Sequence, residues 1–367
     1  MKNSSILKLI LFGFLCAFLA SSCVKEGPMG PAGANGTDGA DGSNGLNGVD
    51  GNVSCLVCHS TTNLESKRAE FAMSGHSAGA GAVAYAGGRQ SCAKCHGHEG
   101  FVQYAEFGEV LGNITSPSAW ECSTCHGLHQ TFESVDYALR LSDPVVPIFD
   151  SETTIDLGGN SNLCANCHQS RRAEPNVTNP GEETFRITST HYGPHHGAQA
   201  NVLAGVGFAE IPGSVAYPLP GSAIHLTQAS CTGCHMAEFS NGEGGHSFKP
   251  NLDACNICHG TEIEDFNYGG VQSNIHAKLE ELRDKLIELE VVEWGEDTEF
   301  VWNQDSLRHI ETPIAGSGSY HPHVGSFPMV QAQAFFNWIG LEEDRSLGAH
   351  NPKYINALLI NTLEALE

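Results

Sequence analysis

Six times along this chain two cysteines stand three residues apart with a histidine directly after the second. The copies are Cys55, Cys58 and His59; Cys92, Cys95 and His96; Cys122, Cys125 and His126; Cys164, Cys167 and His168; Cys231, Cys234 and His235; and Cys255, Cys258 and His259. They use twelve of the fourteen cysteines. Zinc sites and short disulfides also use paired cysteines, but neither gives a reason for a histidine fixed at the same place in every copy. Covalent haem uses all three residues. Two thiols one helical turn apart reach the two vinyl groups along one porphyrin edge, and the next residue offers an imidazole to the iron. The expectation is six haem c groups, attached through the twelve cysteines and held by the six motif histidines.

The N-terminus carries an export signal over residues 1–22. Lys2 and Lys8 precede an apolar run from Leu9 to Ala20, too short for a membrane span, and small residues follow up to Cys23. Cys16 would leave with the signal. Cys23 stands where a bacterial lipoprotein carries its lipid, although Ala20 takes the place of the usual leucine. Acylation there would hold the protein on a membrane, because each buried methylene contributes about 0.8 kcal/mol. Cleavage as an ordinary secretory signal is the other reading. Export is expected either way, since haem attachment of this kind takes place outside the cytoplasm, and the expected location is the outer membrane, on its periplasmic or cell-surface side.

Residues 23–52 form a stalk in which glycine recurs at every third position from Gly27 to Gly51. That is the collagen period, yet only Pro28 and Pro31 supply the stiffening imino acid. A short triple helix is one reading. A flexible spacer between lipid and cytochrome domain is the preferred one.

Residues 53–265 are rich in Gly, Asn, Ser and His and poor in aliphatic periodicity. A chain with so few core side chains can still fold if bound porphyrins supply the apolar surface. The expected fold class is mostly α and irregular: short helices and loops around a haem-dominated core. From 266 to 367 the pattern changes to helices packing on that domain. Ile275, Leu279, Leu282, Leu286 and Leu289 mark an amphipathic helix over Val271 to Val292. Two further helices are expected over Phe327 to Leu341 and Pro352 to Leu366, the last with Asn351 as cap and Pro352 in its first turn. Together they predict a C-terminal helical bundle.

Six bis-histidine irons need six more imidazoles, and thirteen histidines lie outside the motifs. Axial ligands approach opposite porphyrin faces, so His98 and His129, two or three residues past a motif, cannot serve their own iron. His76 sits in a small-residue stretch, His225 six residues before Cys231, and His246 between the last two motifs. His191, His195 and His196 form a cluster holding one or two candidates. His276, His309, His321 and His323 have no spacing argument.

Six segments, Cys92 to Phe101, Leu163 to Arg171, His191 to Gly197, Cys231 to Met236, Gly245 to Phe248 and Gly348 to Tyr354, resemble the multihaem cytochromes related to pentahaem nitrite reductases and octahaem reductases. In that group, histidines in Gly-x-His, Cys-x-x-Cys-His-x-x-His and Gly-x-His-Asn-Pro contexts are commonly distal ligands. The resemblance implies His76, His129, His195 or its neighbour His196, His225, His246 and His350, with His195 taken of the adjacent pair. The nitrite reductases bind substrate at a motif ending in lysine, and all six motifs here end in histidine.

The net charge of −24, from 42 acidic and 18 basic residues, excludes nucleic acid by repulsion and suits a basic redox partner or a solvated exterior. The functional expectation is electron transfer, to partner proteins or an extracellular acceptor, with no catalytic residue assigned. The surplus of histidines permits one subunit to cap a haem of the next in an oligomer or filament. The alternative is reduction of a small nitrogen or sulfur oxyanion at one open iron, with Arg171, Arg172 and Tyr192 as the residues beside it.

Overall fold

The structure, a computed structural model, describes residues 59, 61–128, 138–260, 263–303 and 308–367, with the backbone alone for 61, 80, 297–303 and 308–316. The export signal, Cys23, the stalk, Cys55, Cys58 and His129 lie outside the described residues.

Short helices carry the motifs. After α1 (Thr61–Ala72) come α2 (Gln90–His96), which ends on the second motif, and α3 (His98–Phe107). The two lie against each other because Gly100 has no side chain: a Cβ there would stand 2.3 Å from the Ala93 carbonyl oxygen. The third motif forms α4 (Cys122–Cys125), and the fourth begins in α5 (Asn162–Ala165). A short strand β1 (Thr184–Ile187) and α6 (Gln199–Ala204) lead to α7 (Ile224–Gln228), α8 (Ser230–His235) and α9 (Leu252–His259). These last two carry the fifth and sixth motifs. Asn251 caps α9 by accepting the Ala254 N–H at 3.0 Å.

Helix α10 (Val271–Glu288) buries Ile275, Leu279, Leu282 and Leu286, the stripe its spacing predicts. The helix stops earlier than the Val292 expected, and Glu290 turns left-handed at φ 57°. The next residues, Val291, Val292 and Trp294, favour extended backbone. They open an antiparallel pair, β2 (Val292–Asn303) with β3 (Arg308–Pro322), which the sequence reading did not anticipate. Then β4 (Gly325–Pro328) pairs antiparallel with β1, Phe327 opposite Phe185. That pairing delays α11 to Met329–Asp344, two residues beyond the expected start. Helix α12 (Pro352–Ala365) begins as its sequence predicts, with the Asn351 side chain accepting the Tyr354 N–H at 3.3 Å.

Helices α10, α11 and α12 share one apolar cluster with Phe185, Ile187, Tyr192, Val202 and Phe208. Asn337, fully buried on α11, accepts the Ala209 N–H at 2.9 Å and donates to the Ala209 carbonyl at 2.8 Å and to Thr362 at 3.1 Å, tying that cluster to the loop beyond α6. A smaller cluster of Val145, Ile155, Leu157, Ala165 and Leu203 lies beneath the fourth motif. Among the described residues no helix is long and apolar enough to cross a membrane.

Candidate haem-binding sites

Five of the motif histidines are described with a second histidine across from them, far away in sequence. The ring centres of His96 and His195 lie 5.9 Å apart, those of His168 and His76 6.1 Å, and those of His259 and His225 6.1 Å. His126 and His246 are 6.4 Å apart, as are His235 and His350. A metal–imidazole bond of about 2.0 Å on each face, plus about 1.1 Å from nitrogen to ring centre, separates two trans imidazoles by about 6 Å. The pairs therefore have the spacing of two axial ligands on one iron. Interplanar angles fall into two groups, 35° and 36° for the pairs of His126 and His235, and 73° to 84° for the other three.

Neighbouring acceptors fix which nitrogen four of these rings present. Nδ1 of His168 lies 3.1 Å from Gln199 Oε1, that of His235 2.9 Å from the Phe248 carbonyl, and that of His350 2.6 Å from Asp344 Oδ1. Nδ1 of His225 meets the Ala349 carbonyl. With Nδ1–H donated outward, Nε2 is left as the lone-pair side, the arrangement that orients metal-binding imidazoles. His195 Nε2 is buried without a hydrogen-bond partner, as a nitrogen reserved for a metal would be. Burial, with the nearby His168, lowers the pKa of His76 to about 4. Burial, followed by Arg171, His196, His96 and Arg172, does the same at His195, also to about 4. Both rings are thus held neutral, the form a metal takes. At His350 burial opposes the charged form, but the Asp344 carboxylate outweighs it and raises the pKa.

His246 is positioned from below. Glu70 on α1 accepts the His246 backbone N–H at 3.0 Å, stands 3.6 Å from its Nδ1 and is bound by Lys67 at 2.8 Å. Gly245, at φ 51°, lets the turn pass over that carboxylate: a Cβ would fall 2.4 Å from Glu70 Oε2. This is the steric reason for glycine directly before His246.

The motifs also meet one another. The Cys95 thiol approaches the Asn166 carbonyl and the Cys167 thiol the Lys94 carbonyl, each at 3.7 Å, and the two thiols interact. Cys164 interacts in the same way with Cys231, where Ser161 and Thr232 are hydrogen bonded at 3.1 Å. The half-buried Cys125 lies near enough to Cys164 for the two to influence each other's charge. The fourth motif is thus adjacent to the second, third and fifth. The ten motif cysteines among the described residues form no disulfide.

The remaining histidines have other partners. His196 is exposed and 2.6 Å from Glu343, so of the adjacent pair it is His195 that faces a motif histidine. His98 Nδ1 bonds Thr124 at 2.7 Å, His276 lies 3.8 Å from Glu280, and His323 3.3 Å from Glu293. The His309 side chain is not described. Sequence reasoning missed the outer partners Gln199, Asp344 and Glu70, which are remote in the chain and carry no motif.

No family model and no curated protein matches the chain. Among solved structures, the crystal structure of outer cell wall cytochrome OcwA is similar, at 17% identity and a TM-score of 0.49, over 82% of this chain and 50% of that one. The similar part spans half of that protein's length. The site described here rests on its own geometry.

Proposed function

We propose that this chain is a hexahaem c-type cytochrome that carries electrons. The observation behind this reading is the set of five histidine pairs, each joining a motif histidine to one remote imidazole at 5.9–6.4 Å. In it, His96 with His195, His126 with His246, His168 with His76, His235 with His350 and His259 with His225 each hold one iron. His129 serves His59. The haems supply one-electron redox chemistry when bound, and the protein tunes it through axial ligand, burial and nearby charge. The adjacency of the fourth motif to the second, third and fifth supports a compact array suited to passing electrons. Cys23 anchors the protein by lipid to the outer membrane, and the stalk holds the domain away from it.

The reductase reading finds its residues together: Arg172 lies over the Tyr192 ring at 5.6 Å, and Arg171 with both lines a cavity that reaches His96 and His195. It needs an open iron, and His195 opposite His96 argues against one there. Intact mass of the purified chain tests the haem count, and electron paramagnetic resonance with cyanide and nitrite tests the rest. Six covalent haems, all low-spin and unmoved by either ligand, are expected. One high-spin iron in six that shifts with ligand would turn the assignment to the reductase.

A further inference from the structure

One histidine pair belongs to no Cys-x-x-Cys-His motif. His191, in the loop after β1, and His321, on β3, place their ring centres 6.3 Å apart at 52°, within the spacing of the five motif pairs. Each ring has one nitrogen beside a hydroxyl, His191 Nδ1 3.3 Å from Thr190 and His321 Nε2 3.1 Å from Ser319. The other nitrogen, Nε2 of His191 and Nδ1 of His321, is the one left to a metal. Gly295, which pairs with Ser319 two residues along β3, leaves room for the His321 ring: a Cβ there would stand 2.8 Å from His321 Cδ2. A bare ion needs three or four protein ligands. Among the described residues no group of three or more His, Cys, Asp or Glu side chains is placed to hold one. Two imidazoles at this spacing, with no third such ligand among the described residues, suit a metal that brings its own equatorial donors.

The space beside the pair fits that requirement. A cavity of 970 Å³ is lined by His191, His321, Trp294, Tyr320, Arg172 and Arg283. Trp294 and Tyr320 offer aromatic walls, their rings 5.0 Å apart edge to face, and the two guanidiniums are the side chains that pair with carboxylates in bidentate fashion. The same cavity reaches Cys92, His96 and His195.

We infer that His191 and His321 form a binding site for a seventh metalloporphyrin, held by trans imidazoles without thioether bonds and sharing a cavity with the haem of the second motif. The inference rests on the reading that the motif pairs hold haem irons.

The test counts haem two ways on the purified full-length holoprotein. Intact mass under denaturing conditions counts thioether-linked haems, and extraction into acidified organic solvent removes only those held without covalent bonds. Six linked and one extractable haem are expected, and His191→Gln or His321→Gln should each abolish the extractable one while leaving six. If the protein is isolated with six irons, equimolar haemin should add a low-spin Soret band that both variants fail to form. Six irons with no haemin binding, or haemin binding unchanged in both variants, overturns the site. A linked count below six contradicts the motif assignment instead, and the extractable haem is read separately.

Discussion

Asp344, almost wholly buried at the end of α11, holds His350 Nδ1 at 2.6 Å, and His350 in turn faces the motif histidine His235 at 6.4 Å. The contact joins the apolar helical region to the fifth motif. A carboxylate in that position makes the imidazole a stronger donor and favours the more positive, oxidised iron. Asp344→Asn keeps an acceptor oxygen and removes the charge. The charged hydrogen bond exceeds a neutral one by about 1 kcal/mol, which for one electron raises that haem's potential by about 40 mV. Spectroelectrochemical titration should find one component of six moved upward and the haem count unchanged.

His195 and His196 are neighbours with opposite surroundings, one facing His96 and the other exposed beside Glu343. Replacing His195 by alanine should convert one iron in six to high spin. His196→Ala should leave every iron low-spin. Electron paramagnetic resonance of the two oxidised variants decides the assignment, and the reverse pattern would transfer the ligand role to His196.

Gly245 combines a left-handed backbone with the Glu70 carboxylate directly beneath it. Gly245→Ala must displace one or the other, at a cost of about 1–3 kcal/mol. The displaced His246 should alter the low-spin signal of the iron it shares with His126. Guanidinium unfolding and the low-spin g-values would report both effects, and a variant unchanged in each would separate Glu70 from the positioning of His246.

Asn337 satisfies both the N–H and the carbonyl of Ala209 inside an apolar cluster. Asn337→Ala leaves the buried Ala209 N–H without a partner, while the Ala209 carbonyl keeps the Ile211 N–H at 2.9 Å, so the cost is about 1–3 kcal/mol. Denaturant unfolding of the holoprotein should give that loss, with the six thioether-linked haems still present by mass.

Leu282 is fully buried in the stripe that α10 turns toward α11 and α12. Truncation to alanine should cost about 2–5 kcal/mol through lost contacts and the cavity left behind. The optical spectrum of the folded variant should stay that of the parent, since no histidine pair includes α10.

The amino-acid sequence by itself determined the local features. Each Cys-x-x-Cys-His needs one helical turn to bring its three side chains to one place, and five residues suffice for that. The Asn351-Pro352 start and the Ile275 to Leu286 stripe were legible for the same reason, because a cap and a helical face repeat within a turn or two. The β2–β3 pair was not, because Val292 to Asn303 becomes a strand through its partner, and the amphipathic run before it gave no sign of where helix would yield. Nor could spacing choose the second histidine of each pair. His76 meets His168, and His350 meets His235, across intervals over which sequence distance carries no geometric information. Only tertiary structure decided those pairings, along with the preference for His195 over His196 and the meeting of His191 with His321. The physical reason is that two imidazoles on one metal need ring centres about 6 Å apart in space, a separation that the folded backbone sets and a linear motif cannot encode.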